Sequence, residues 1–413
     1  MRLEFGRRLG AAAAAALLIG SALSPGGAQA SAAVDRPQDP PRAPRFVKLA
    51  AGGVHTCGLT AAGNVYCWGE NPGGEYRGGK LHKPGPVAVS GPHGSDPLSG
   101  VSAVTAGGLH TCALFAGGAV YCWGYNNYGE LGNGTIGERA GAVTGLPAEA
   151  VAITAGGNHS CALLATGAVY CWGDNHDGQL GTGTTTDSPT PTAVTGLPAK
   201  AVAVTAGYYH TCALLATGAV YCWGYNYYGE LGHAPTHDPY TPTPRTVTGF
   251  DGRTAKAVAI TAGFHHTCAL LATGTVDCWG DNHEGELGDG TARRSYVPVA
   301  VAGPGRTGRL SGVRSLAAGG FHTCAVTDTG TWCWGENHDG ELGDGTTRRS
   351  PVPVAVAGPG GTGRLSGVSA LTAGDEHTCA LTGTGTWCWG YNDDGQLGDG
   401  TEDSSHAPVA VER

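Results

Sequence analysis

The feature that most constrains this chain is a repeat. The motif Gly-x-x-His-(Thr/Ser)-Cys occurs seven times, with its histidines at His55, His110, His159, His210, His266, His322 and His377. Each unit continues to a second cysteine and a Trp-Gly pair. Successive units begin about fifty residues apart, a period that belongs to solenoids, propellers or arrays. A helical solenoid is excluded because no long apolar run follows the helical period. Each unit instead offers short runs of Val, Thr, Tyr and Trp separated by Gly, Pro, Asn and Asp, which is the composition of strands and tight turns. With 73 glycines and only 14 % charged residues, the chain is also unlike a disordered one, which is highly charged and poor in apolar groups.

In the stretch HTCALLATGAVYCWG, placing Cys212 opposite Cys222 sets Leu214 opposite Val220, Ala213 opposite Tyr221 and Thr211 opposite Trp223. The loop is then Ala216-Thr217-Gly218, and a three-residue hairpin loop wants Gly at its left-handed last position. Units six and seven are one residue shorter between their cysteines, yet Trp332 and Trp387 still precede the second cysteine. The deletion therefore falls in the turn, because a slip within a strand turns its side chains over. Zinc sites use closely spaced cysteines and four ligands, and redox centres use C-x-x-C or a lone activated thiol. Neither pattern is present. All 14 cysteines pair within units, so the expectation is seven hairpin disulfides: Cys57–Cys67, Cys112–Cys122, Cys161–Cys171, Cys212–Cys222, Cys268–Cys278, Cys324–Cys333 and Cys379–Cys388.

Trp-Gly leads into a second module, x-Asn-x-x-Gly-(Glu/Gln)-Leu-Gly, as in DNHDGQLG from Asp174 and YNDDGQLG from Tyr391. Asn-x-x-Gly predicts a tight turn, and the Gly after Leu predicts a bulge or a close backbone approach. DNHEGELGDG from Asp281 lacks the spacing and terminal Glu of a helix-loop calcium site, so a turn is the better reading. Between modules lies a strand pair of the type VPVAVAG…GVRSLAAGG. Its first half precedes units two to seven, is missing before unit one, and returns as Pro408-Val409-Ala410-Val411. This offset predicts an all-β, seven-bladed β-propeller over 46–413 whose N- and C-terminal strands share one blade. Blades pack on both faces, which assigns the seven histidines to the scaffold, hydrogen-bonded to backbone within the blade. A ring of metal-binding histidines is the alternative.

Residues 1–30 have a different character. Arg2, Arg7 and Arg8 precede an apolar run from Leu9 to Leu23, which Pro25-Gly26-Gly27 breaks before Ala28-Gln29-Ala30. That is the layout of a secretory signal peptide cleaved near Ala30. A short membrane anchor is the alternative, but the run is shorter than the ~20 residues of a span. Arg7-Arg8 matches a twin-arginine signal poorly. Residues 31–45 form a Pro-rich linker. The leader carries three Arg and one Glu, so its loss takes the net charge from −9 to −11. An acidic chain repels phosphate backbones, which argues against a nucleic-acid partner. No later segment spans a membrane. The reading is a secreted, extracellular monomer.

With G-x-x-H-T-C-A-L…V-Y-C-W-G-x-N-x-x-G-E-L-G-x-G-T on the page, residues 46–413 resemble the regulator of chromosome condensation repeat family. The resemblance implies a seven-bladed propeller closed by shared terminal strands. The paired cysteines depart from the family pattern and suit an exported member. The founding eukaryotic member is a nuclear guanine-nucleotide exchange factor that docks on chromatin, and no long insertion here resembles its exchange wedge. A secreted relative that inhibits β-lactamases through one face is a precedent for a binding role.

In a repeat protein, positions that differ between units carry function. Here these are the residues before each His (Val54, Leu109, Asn158, Tyr209, His265, Phe321 and Glu376) and those after Trp-Gly. Tyr125, Tyr128, Tyr208, Tyr209, Tyr225, Tyr227 and Tyr228 are the candidate binding residues, an aromatic patch on one side of the ring. Packing of some of them between blades is the alternative. Asp281, Glu284, Asp339, Asp393 and Asp394, with Arg293, Arg294, Arg348 and Arg349, read as a solvated rim. No catalytic set, metal site or cofactor motif is present. The function expected is a binding scaffold for a protein or surface glycan. A secreted propeller hydrolase or lyase, and a nucleotide exchange factor by family analogy, are the alternatives.

Overall fold

The computed structural model describes residues 44–70, 82–91, 96–137, 140–234 and 238–412. The leader and nearly all of the linker lie outside these residues. The described chain forms seven four-stranded antiparallel sheets, each an up-and-down meander. They are blades 1 to 7, over 46–88, 101–142, 150–193, 201–246, 257–300, 313–355 and 368–410. Blade 4 shows the pattern, with a first strand Ala201–Ala206, a second His210–Leu215, a third Val220–Tyr225 and a fourth Tyr240–Thr246.

The hairpin register is the one expected. Cys212 opposes Cys222, Leu214 opposes Val220, and Thr211 opposes Trp223. Gly218 closes the loop at φ +86°. In blade 6 Thr327 opposes Gly330, so the deletion sits in the turn. All seven cysteine pairs are joined, with Cα atoms 4.1 Å apart.

Ring closure differs from the expectation of a shared blade. Blade 1 is built wholly from 46–88 and blade 7 wholly from 368–410. The P-V-A-V run is the fourth strand of the blade it follows. It pairs with the strand holding the second cysteine, as Tyr66 opposite Ala88 and Trp387 opposite Ala410. The supposed strand pair spans the step from one blade to the next, where single bridges such as Ala302–Arg309 hold it. Blades 7 and 1 therefore close the ring by face-to-face packing, side-chain contacts and backbone hydrogen bonds such as Gly400 N–H to the Pro84 carbonyl at 2.8 Å, with no shared strand.

The same latch joins neighbouring blades. Each motif histidine touches the motif Thr or Ser of the next blade through Nε2, from His55–Thr111 at 2.7 Å round to His377–Thr56 at 2.7 Å, giving seven such contacts in a full circle. The Thr267 hydroxyl donates its one proton to the Glu230 carbonyl, so it accepts from His210, which carries its proton on Nε2. The indole of Trp279 donates to that same carbonyl at 2.8 Å. Trp68 does likewise to the Gln396 carbonyl, across the closing interface. The histidine partner is thus a side chain of the next blade, not backbone of its own.

Two features of the repeat follow from close approach. A Cβ on Gly207 would lie 2.5 Å from the Gly263 carbonyl oxygen of the next blade, and Gly374 meets Gly52 in the same way at 2.3 Å. The Gly after Leu, such as Gly181 at φ +70°, lies against the next blade's indole, Trp223. Asn226 fixes the turn before it by accepting from the Leu231 amide and donating to the His233 carbonyl.

Candidate functional site

The first-to-second and third-to-fourth strand loops of every blade emerge on one side, because His210 opposes Gly224 across the hairpin. Both sets of varied positions therefore share one face around the mouth of the central channel. The channel is walled by the Ala-Gly steps at the ends of the seven first strands. The next ring position is Gly53, Gly108, Gly157, Tyr208, Phe264, Gly320 and Asp375. Only blades 4, 5 and 7 place a side chain over the channel there.

Five of the seven candidate tyrosines come together on blade 4, with Tyr227 exposed and the other four half-buried, and Tyr208 and Tyr228 also contact the neighbouring blades. Ring centroids are 4.6 Å apart for Tyr208–Tyr209, 5.9 Å for Tyr209–Tyr225 and 5.0 Å for Tyr227–Tyr228. Blade 5 extends the cluster with Phe264, 4.4 Å from Tyr208, and His265, 4.8 Å from Tyr228. Phe321 of blade 6 continues it at 5.1 Å from Phe264. His265 is held by Glu230 at 3.0 Å. Arg294 lies over both Tyr227 and Tyr296, so it is part of the patch and not just solvated rim. Burial, and then Glu230, push the Tyr225 phenol up to about 12, so it stays a neutral donor. Tyr128 instead meets His176 at 5.7 Å, and Tyr125 is paired with Asn127. Sequence reasoning missed Phe264 and Tyr296. Phe264 was findable, because it occupies the ring position of Tyr208.

The opposite arc is acidic. Burial raises the Glu336 carboxyl to about 7, with Glu376 and Glu284 adding to the shift. Burial and Asp339 raise Glu376, and burial and Asp394 raise Glu70. Asp375, on the channel itself, is pushed up to about 7 by burial and by Glu376.

The motif histidines are each committed to a separate interblade latch. Burial drops His55, His159 and His322 to about 4, and His110, His266 and His377 to about 3. They are neutral members of the scaffold. The group of possible metal ligands among the described residues lies elsewhere, at Asp174, His176 and Asp187. The channel lining holds one carboxylate, Asp375, and no second one. The paired carboxylates of glycoside hydrolysis are therefore not assembled there among the described residues. No helix of the described residues is long and apolar enough to cross a membrane.

Fold and site together define a seven-bladed propeller whose repeated residues build latches and whose varied residues gather on one face. The RCC1-like domain profile matches residues 77–413, and the Regulator of chromosome condensation (RCC1) repeat profile matches 46–75. The chain belongs to this family. It is 31 % identical over 393 residues to the ultraviolet-B receptor UVR8 of Arabidopsis thaliana, covering 92 % of this chain and 84 % of that protein. It is 29 % identical over 377 residues to the secretion-regulating guanine nucleotide exchange factor of Mus musculus, covering 86 % and 80 %. Yeast RCC1 (Prp20), solved bound to Kap60, shares the fold with a TM-score of 0.70, 23 % identity and coverage of 86 % and 85 %.

Proposed function

We propose that this chain is an exported propeller that docks a protein partner through the loop face, with the blade 4–5 aromatic cluster as the anchor. The observation that carries this reading is the cluster itself. Tyr227 is 52 % exposed, and beside it Tyr228, His283, Arg293 and Arg294 line a shallow groove. Tyr and Arg dominate binding hot spots because they are large, rigid and amphipathic. A surface glycan is a competing ligand of the same chemistry. Kap60 on yeast RCC1 is a precedent for a protein partner. The basic and apolar leader, with its small-residue end, supports export, as do the seven disulfides.

The test has two parts. Immunoblots of culture fluid and cell fractions should find the mature chain outside the cell, cut near Ala30. Pull-down from culture fluid and cell envelope should capture a partner that the Tyr227→Ala/Tyr228→Ala double variant loses by tenfold or more. Unchanged capture by a folded double variant overturns the patch. The name of the mouse relative gives a second reading, nucleotide exchange. Faster release of labelled nucleotide from a small GTPase would establish that reading.

A further inference from the structure

The channel mouth holds a second, smaller site. Tyr208 and Phe264 stand edge to face at 4.4 Å on one side of it. Asp375 stands on the other side, close enough for its charge to raise the Tyr208 phenol. All three border a cavity of about 70 Å³. That volume admits a side-chain head group, whereas ligand pockets for drug-sized molecules run to roughly 300–1,000 Å³. The Asp375 carboxylate has no hydrogen-bond or ion-pair partner among the described residues. Around it lie Glu376 and Glu336, neither in an ion pair among the described residues, with His338 the basic group near Glu336.

A carboxylate without a partner beside half-buried aromatic rings is chemically matched to one class of group. Aromatic faces attract a cation through their quadrupole. A carboxylate takes a guanidinium or ammonium by charge-assisted hydrogen bonds. We infer that the channel mouth is a receptor for a cationic side chain, an Arg or Lys on a basic segment of the docked protein, lodged between Asp375 and the Tyr208–Phe264 pair. This rests on the loop face being the docking side. Gly108 and Gly320 leave their steps of this ring without side chains, while the Asp375 carboxylate lies over Gly53 and the Tyr208 ring over Gly157. The acidic arc attracts a basic segment, and the aromatic pair with Asp375 selects one residue of it.

The probe is fluorescein-labelled hexa-arginine, with hexa-citrulline as its neutral counterpart, titrated by anisotropy against the mature full chain at 0.15 M salt and about pH 8, where the Asp375 carboxyl is ionised. Hexa-arginine should bind and hexa-citrulline should not. Asp375→Asn keeps the side-chain shape and should weaken binding tenfold or more. Phe264→Leu should weaken it threefold or more, while Asp251→Asn on the opposite face should change it less than twofold. Thermal melts confirm that each variant is folded, and Phe264→Leu reads the site independently of Asp375. Equal binding of the citrulline peptide, no binding of either peptide, or unchanged affinity in Asp375→Asn each overturn the inference. The Tyr227→Ala/Tyr228→Ala variant should still bind hexa-arginine within twofold. Failure of the docking patch and failure of the cation site are therefore read by different proteins.

Discussion

His210 is the residue that repetition makes easiest to notice and easiest to misread. Its imidazole is buried and neutral, donating from Nε2 to the Thr267 hydroxyl 2.8 Å away. Thr267 in turn serves the Glu230 carbonyl, which also holds the Trp279 indole. Removing the hydroxyl while keeping the shape leaves a buried N–H without a partner. Thr267→Val should therefore cost about 1–3 kcal/mol of folding stability, measurable by urea unfolding. Thr329→Val, in a hairpin turn outside the latch, should cost less than that. The sequence identified His210 as scaffold but not its partner, because that partner belongs to the next repeat. Spacing within one hairpin carries no information about which residues of two adjacent blades face each other.

At the scale of the element, the hairpin was legible almost in full. Cys212 and Cys222, the Gly-ended loop and the one-residue deletions before Trp332 and Trp387 all point to one register, and the structure has it. The fourth strand was not legible in the same way. Pro408-Val409-Ala410-Val411 alternates like any exposed strand, and its run can pair backward or forward along the chain. Only the ladder from Cys388 to Val409 settles that it pairs backward. Each hairpin staple constrains a short loop in the unfolded chain. Replacing one pair, as Cys212→Ala/Cys222→Ala, should cost about 2–3 kcal/mol by the chain-entropy relation. Non-reducing peptide mapping should return each of the seven pairs within its own hairpin, and cross-unit pairs or free thiols would contradict the fold.

At the scale of the whole molecule, the ring sums small effects over repeats, and the pH dependence of stability shows the sum. Six of the seven motif histidines sit at about 3 or 4 when folded, and His210 also lies well below its ordinary value, because burial disfavours their charged form. The unfolded chain binds their protons first, so stability is full above about 6.5 and falls as pH drops from there toward 3. The module glutamates act in the opposite sense. Burial raises Glu130 to about 7, and Glu286 and Glu341 to about 8. The folded chain holds those protons more tightly, so stability falls as pH rises from about 4.5 to 8. The two slopes cross between these limits, and a stability maximum near pH ~6 is expected from denaturant midpoints across pH 4–9. Gln179 and Gln396 already occupy the glutamate position in blades 3 and 7. They accept from the same turn amide through their side chains and from the same indole through their backbone carbonyls. Glu286→Gln with Glu341→Gln should therefore leave the ring intact, raise the midpoint at pH 8 and leave it unchanged at about pH 4. An unchanged midpoint at pH 8 would mean that these two carboxyls are ionised in the folded ring, leaving Glu130, Glu336 and Asp375 to set the alkaline limb.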